Sequence, residues 1–235
     1  MQILNRKFYE VFVPRVSLSN QIFNQKERVF IMEEGSIKYL TAEILRNQDQ
    51  NMISWENLLY KQVNFEYNID SLWQKTIQVN DTDVYFLAGA YCITGTRVAN
   101  ICYRLNIRYN TIEKIANLNE GRYGSGYCHL NNKIYLMGGA GPGGKGTSCE
   151  VYDIEKNKWN YFTPFPVQLS NPTAVTFGER FIYLIGGRGI ERQDTQMSEI
   201  MRIDTLQPDQ DLKWERIKFQ QSGEGSILKI KGGPH

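Results

Sequence analysis

The sequence predicts an all-β repeat protein. Three observations carry the prediction. First, an apolar strand running into paired glycines recurs, as Lys133–Gly139 (KIYLMGG) and Phe181–Gly187 (FIYLIGG), with weaker copies at Asp83–Gly89 (DVYFLAG) and Ile227–Gly233 (ILKIKGG). Second, the tyrosines of these segments, Tyr85, Tyr135 and Tyr183, are spaced 50 and 48 residues apart, and a fixed period of about 50 residues marks a repeat architecture. Third, the 235-residue chain combines 12% aromatics with 20 glycines, a composition suited to many short strands joined by tight turns.

The third repeat is the cleanest. Arg122 to Leu130 reads as a loop entering a first strand, and Asn131-Asn132-Lys133 as a tight turn of residues that tolerate positive φ. Ile134 to Met137 is apolar throughout, the pattern of a strand buried on both faces. Gly138-Gly139 then permits an approach of backbones that a Cβ would block. Cys149 to Asp153 is a third strand, and a turn through Asn157 leads to a fourth carrying Trp159.

The second repeat keeps this frame, with Gly89 at its glycine position, Leu105-Asn106 matching Tyr152-Asp153, and Ile112 in the tryptophan position. The fourth has Gly186-Gly187, Ile203-Asp204 and Trp214. The first is degraded: Arg28 to Met32 is its second strand, Glu33-Glu34 replaces the glycines, and Trp55 and Trp73 compete for the closing position. An indole recurring about once per repeat is expected to wedge between neighbouring sheets.

Strand-Gly-Gly, Tyr-Asp and Asn-x-Trp in fixed order, with Arg122-Tyr123-Gly124 ahead of the first strand, resemble the kelch repeat. The resemblance covers about residues 15 to 235 and implies a kelch-type β-propeller of four-stranded antiparallel blades in one domain. The blades would span roughly 16–65, 66–115, 116–165 and 166–217. The ends, 1–15 and 218–235, then either share a fifth blade, with residues 3–12 beside 226–231, or belong to a longer propeller of which this chain is a fragment. Gly232-Gly233 reads as the glycine pair halfway through that last blade.

The resemblance also implies a function. Family members line a shallow basin on one face with arginines, serines and tyrosines from the loops between strands. The matching positions here are Tyr91, Arg97, Arg122, Tyr123, Lys145, Arg188, Arg192 and Gln193. Arginine and tyrosine are also enriched at protein interfaces. For Arg122 a second role stays open, that of bridging blades through backbone carbonyls.

The alternatives find less in the residues. Gly139, Gly144 and Lys145 approach a phosphate-binding loop, but Gly146 stands where Ser or Thr should hold magnesium, and a strand pattern follows where a helix is required. Two histidines, one of them the terminal His235, do not build a triad or a copper site, and His129 reads as a packed strand residue. Glu33 and Glu34, adjacent on a strand, point to opposite faces. Cys92, Cys102, Cys128 and Cys149 lack CxxC spacing and are expected to be reduced and buried rather than to bind zinc. A net charge of +2 gives no reason to expect nucleic acid, and the basic residues Lys213, Arg216, Lys218, Lys229 and Lys231 read as a solvated face. The longest apolar run, Val84 to Ile93, is ten residues, against about 20 for a membrane helix.

The expectation is therefore a cytoplasmic, non-catalytic module that binds a protein partner through its loop face, without cofactor or metal. A small-molecule or sugar-processing enzyme with a site at the channel mouth is the competing class.

Overall fold

The computed structural model describes residues 11–12, 28–33, 36–41, 61–64, 74–90, 97–141, 146–189, 200–217, 219–220 and 229–230. Among them the regular structure is strand, with one 3-10 turn at Asp209–Asp211. Four four-stranded antiparallel sheets follow one another along the chain. The first holds β1 (Val11–Phe12), β2 (Arg28–Glu33), β3 (Ser36–Thr41) and β4 (Lys61–Asn64). The second holds β5 (Lys75–Gln78), β6 (Asp83–Leu87), β7 (Cys102–Asn106) and β8 (Thr111–Ile115). The third holds β9 (Gly126–Leu130), β10 (Lys133–Met137), β11 (Cys149–Asp153) and β12 (Lys158–Phe162).

β13 (Leu169–Ser170) and β16 (Arg188–Gly189) form a separate two-stranded sheet, and the fourth four-stranded sheet holds β14 (Thr173–Phe177), β15 (Phe181–Ile185), β17 (Ile200–Asp204) and β18 (Glu215–Ile217). A final pair joins β19 (Phe219–Gln220) to β20 (Lys229–Ile230). These four-stranded antiparallel sheets are the blades of a propeller.

Of the segments expected to share a blade, only Val11–Phe12 and Lys229–Ile230 lie among the described residues. Val11 and Phe12 stand opposite Ile31 and Phe30, and Lys229 and Ile230 opposite Gln220 and Phe219. The β-prone Val11–Phe12 pair is taken up by the ladder of the first sheet. Trp55, Trp73, Gly232 and Gly233 lie outside the described residues.

The apolar run of each second strand has a packing cause. Ile134 and Leu136 join Ile77, Tyr85, Leu87, Tyr152 and Trp159 between the second and third blades. The alternate residues Tyr135 and Met137 join Cys128, Ile182, Leu184 and Ile203 between the third and fourth. One strand therefore serves two interfaces, and neither of its faces can be polar. Each buried aliphatic or aromatic side chain contributes about 1.5–3 kcal/mol.

Turn chemistry fixes the register. Leu130 opposes Lys133, leaving Asn131 and Asn132 as a two-residue turn with φ of 50° and 57°. Positive φ at both central positions is the hairpin geometry that matches strand twist, and asparagine tolerates it. Asn110 and Asn157 hold φ of 57° and 48° in the turns before β8 and β12, the same site in successive blades.

Gly138 carries φ +63°, and a Cβ there would sit 2.7 Å from the Leu169 carbonyl oxygen. Gly178 has φ +59° with nothing within 4 Å of an added Cβ. Gly138→Ala should therefore cost about 2 kcal/mol or more, adding a backbone clash to the left-handed strain, and Gly178→Ala about 1 kcal/mol from strain alone. Urea unfolding of the two variants reads the difference; equal losses would contradict the close approach.

Candidate functional site

The loops that follow the glycine pairs all leave the same end of their blades, because each pair ends a second strand. Backbone hydrogen bonds stitch this end together in a repeating pattern. The Gly89 amide donates to the Arg122 carbonyl at 2.9 Å, and one blade later Gly139 donates to Leu169 at 2.8 Å. Arg122 donates back to Ala99, and Leu169 to Gly146. Leu118 donates to Asn100, and Phe165 to Thr147. Each connector entering a blade is thus sewn to the loop of the blade before it. Tyr123 and Ala140 exchange hydrogen bonds of 2.9 and 2.8 Å, the counterpart of Ser170 opposite Arg188. Gly124 and Asn171 share the left-handed conformation at φ 63° and 52°.

The outer end of each interface is held by an indole. The Trp159 Nε1–H donates to the Ala116 carbonyl at 3.0 Å, and the Trp214 Nε1–H to Thr163 at 3.1 Å, each acceptor being the residue just past the fourth strand of the preceding blade. Trp159 also lies against Tyr152, with ring centroids 5.1 Å apart. Asp153 caps its turn by accepting from the Lys156 amide at 3.0 Å. Trp159, Trp214, Tyr152 and Asp153 thus make contacts within and between blades.

Arg122 is 1% exposed and Glu150, on β11, 0%. The Arg122 guanidinium donates to Glu150 Oε1 at 2.8 Å, to the Ser148 hydroxyl at 3.0 Å, and to the Ser148 and Gly138 carbonyls at 2.5 and 3.3 Å. The other lone pairs of Glu150 accept from the Glu120 amide and from the amide and side chain of Asn119. Its backbone ties Arg122 to the second blade and its side chain to the third, so the bridging role that the sequence left open is the one its geometry fits. A buried side chain with these partners offers nothing to an incoming surface, and Arg122 drops out of the loop-face set.

The next blade carries an apolar version of this pair. Leu169 stands where Arg122 does and Met201 where Glu150 does, 2% and 6% exposed. Pro166 there matches Asn119, so the amide that Glu150 would need to satisfy is absent. Sequence reasoning missed Glu150. The available signal was a carboxylate set between the apolar Cys149 and Val151 in β11.

The remaining loop-face residues divide. Arg97 and Arg188 are exposed and Tyr123 is half-buried, and all three flank glycine-pair loops of the second, third and fourth blades. Tyr91, Lys145, Arg192 and Gln193 lie outside the described residues. Of the loop resembling a phosphate site, Gly139 already spends its amide on Leu169, and the strand β11 follows.

Titratable groups elsewhere are committed to the fold. Asp83 accepts from Arg104 and from the side chains of Asn80 and Asn106, and these partners hold its carboxyl below the usual range although burial raises it. Arg180 grips Asp204 through two hydrogen bonds, which lower the Asp204 carboxyl to about 2. Burial pushes the Cys102 and Cys149 thiols up to about 12 and about 11, and raises Cys128 as well, so none is a ready nucleophile. Burial also disfavours protonation of His129, whose Nε2 is buried without a partner. Among the described residues no group of three His, Cys, Asp or Glu could hold a metal ion, and no helix is long and apolar enough to cross a membrane.

Beneath the loops, at the same end of the blades, a cavity of about 540 Å³ opens between the first strands. Lys75 of β5, Ser125, Tyr127 and Cys128 at β9, and Asn171 to Thr176 at β14 line it.

This arrangement defines a kelch-type β-propeller, and comparison with known proteins agrees. Residues 121–166 match the Kelch motif. Kelch-like protein 40 of Xenopus laevis is 31% identical over 198 residues, covering 78% of this chain and 30% of that protein. An F-box/kelch-repeat protein of Arabidopsis thaliana is 30% identical over 117 residues, covering 48% of this chain and 30% of that protein. The structure of YjhT aligns with a TM-score of 0.60 at 16% identity, over 87% of this chain and 65% of that one, a likeness of fold. The chain belongs to the kelch-repeat family. It spans less than a third of the length of either curated relative.

Removing one partner of a buried ion pair costs about 3–5 kcal/mol, whereas a well-packed apolar replacement of both is near neutral. Arg122→Leu should thus be strongly destabilising, Arg122→Leu with Glu150→Met less so, and the addition of Asn119→Pro closer still to wild type. Urea midpoints give the order; a double variant no more stable than the single would show that the pair cannot be exchanged for its neighbour's solution.

Proposed function

We propose that this chain is a non-catalytic protein-interaction module that receives its partner on the loop face at the glycine-pair end of the blades. The observation that carries the reading is the division of labour among its polar groups. The described ionisable groups with perturbed chemistry are paired or buried inside the fold, and Arg97 and Arg188 lie exposed at the glycine-pair end. A rigid frame presenting arginines and tyrosines suits recognition, since little ordering entropy is lost on binding. The similarity to Kelch-like and F-box/kelch-repeat proteins supports an interaction role over a catalytic one.

Tyr91, Lys145 and Arg192 belong to the same proposed surface by their place in the sequence frame. The test is affinity capture with the chain and with an Arg97→Ala plus Arg188→Ala variant. The reading expects an unchanged melting temperature and at least a tenfold loss of the captured partner. Equal recovery by both would remove the loop face as the binding surface.

A further inference from the structure

We propose that the hairpin of β19 and β20 folds back as a strap over the open face of the fourth blade instead of starting a further blade. Length decides first. The chain crosses from the outer strand β8 to the inner strand β9 through residues 116–125, and from β12 to β14 through residues 163–172, ten residues each time. That path spans three strand spacings, about 14 Å. Between Ile217, the end of β18, and Phe219, the start of β19, stands one residue. Two steps of extended chain reach about 7 Å, so Phe219 stays beside the outer strand, at the end of the blade where Ile217 opposes Ile200 and Ile200 opposes Ile185. Ile230 stays there too, since it pairs with Phe219.

Burial supplies the reason to fold back. Ile182 and Leu184 pack toward the third blade, so the alternate residue Ile185 lies on the other face of the fourth, in one row with Ile200 and Ile217. The same row is closed in the blades before it. Met137 and Cys149 are 0% and 1% exposed, and Leu87 and Cys102 are both 0%. In the fourth blade Ile185 is 38% exposed, and Ile200 and Ile217 are half-buried. The hairpin has the matching surface. Its register sets Phe219 against Ile230 and Gln220 against Lys229, an apolar pair on one face and a polar pair on the other. The second strand of the third blade is apolar on both faces because a blade lies on each side. A ribbon apolar on one face suits a terminal cover whose other side stays in water. Laid on the isoleucine row, it removes an apolar sheet face that would otherwise attract another chain.

The first test uses the full wild-type chain with labelled isoleucine methyl groups. The strap predicts nuclear Overhauser contacts from the Ile230 methyls to those of Ile185 or Ile200, and their absence overturns it. The second test is maleimide labelling of an Ile185→Cys variant, with the modified site located by peptide mass. Adding Phe219→Ser and Ile230→Ser should speed labelling at position 185 by about tenfold or more, and adding Gln220→Ser and Lys229→Ser should leave it slow. Cys128 and Cys149 should stay unlabelled throughout, which reports that the blades remain folded. Equal rates in the apolar-face and polar-face variants would contradict the strap. Protection that survives Phe219→Ser and Ile230→Ser but falls on dilution would assign the row to a second copy of the chain instead. Protection that survives both would assign it to another part of this chain, and either result overturns the proposal.

Discussion

Gly89 and Gly139, which follow the second strands of the second and third blades, donate their amides to the connector of the next blade, and the packing of these blades depends on that contact. At Gly139 the acceptor is Leu169, and at Gly89 it is Arg122. The bond forms only where two backbones meet without an intervening side chain. At Gly139 a Cβ would stand 2.6 Å from the Tyr123 carbonyl oxygen and 2.4 Å from the Ser125 hydroxyl. Glycine here decides how closely blades approach, and the closeness sets which carbonyls and amides find partners. Once the approach is fixed, the alternating residues of each second strand fall into two separate interfaces. The indoles of Trp159 and Trp214 then close the outer end.

Two neighbouring interfaces solve one problem in different ways. Between the second and third blades a buried Arg122–Glu150 pair fills the connector site, and between the third and fourth Leu169 and Met201 fill it. The ionic solution satisfies the amides of Asn119 and Glu120; the apolar one has Pro166, with no amide to satisfy, where Asn119 stands. Polar and apolar sets are each internally consistent. That consistency explains how one backbone frame tolerates such different residues.

Much of the fold was legible because its constraints act locally. Paired glycines, asparagine turns and strands apolar on both faces are properties of short segments, so the blades and most of their strands could be read in order. What was hidden depends on long-range context. Arg122 was identifiable as a motif residue, but its burial follows from Glu150, 28 residues away on another strand. The equivalence of Gly124 and Asn171 is masked by different side chains that share one backbone conformation. The pairing of Val11–Phe12 with Phe30–Ile31 could not be separated from closure with the far end, since both use the same short β-prone stretch. The cavity between the first strands joins residues from three repeats and has no signature within any one of them.

The functional reading rests on the same frame. Backbone pairing holds the segments that carry Arg97, Tyr123 and Arg188. Native-state amide hydrogen exchange at Gly89 and Gly139 tests this most directly. The account predicts both amides to be protected to nearly the free energy of global unfolding, although they lie at the start of loops. Exchange at the rate of an open loop would contradict it.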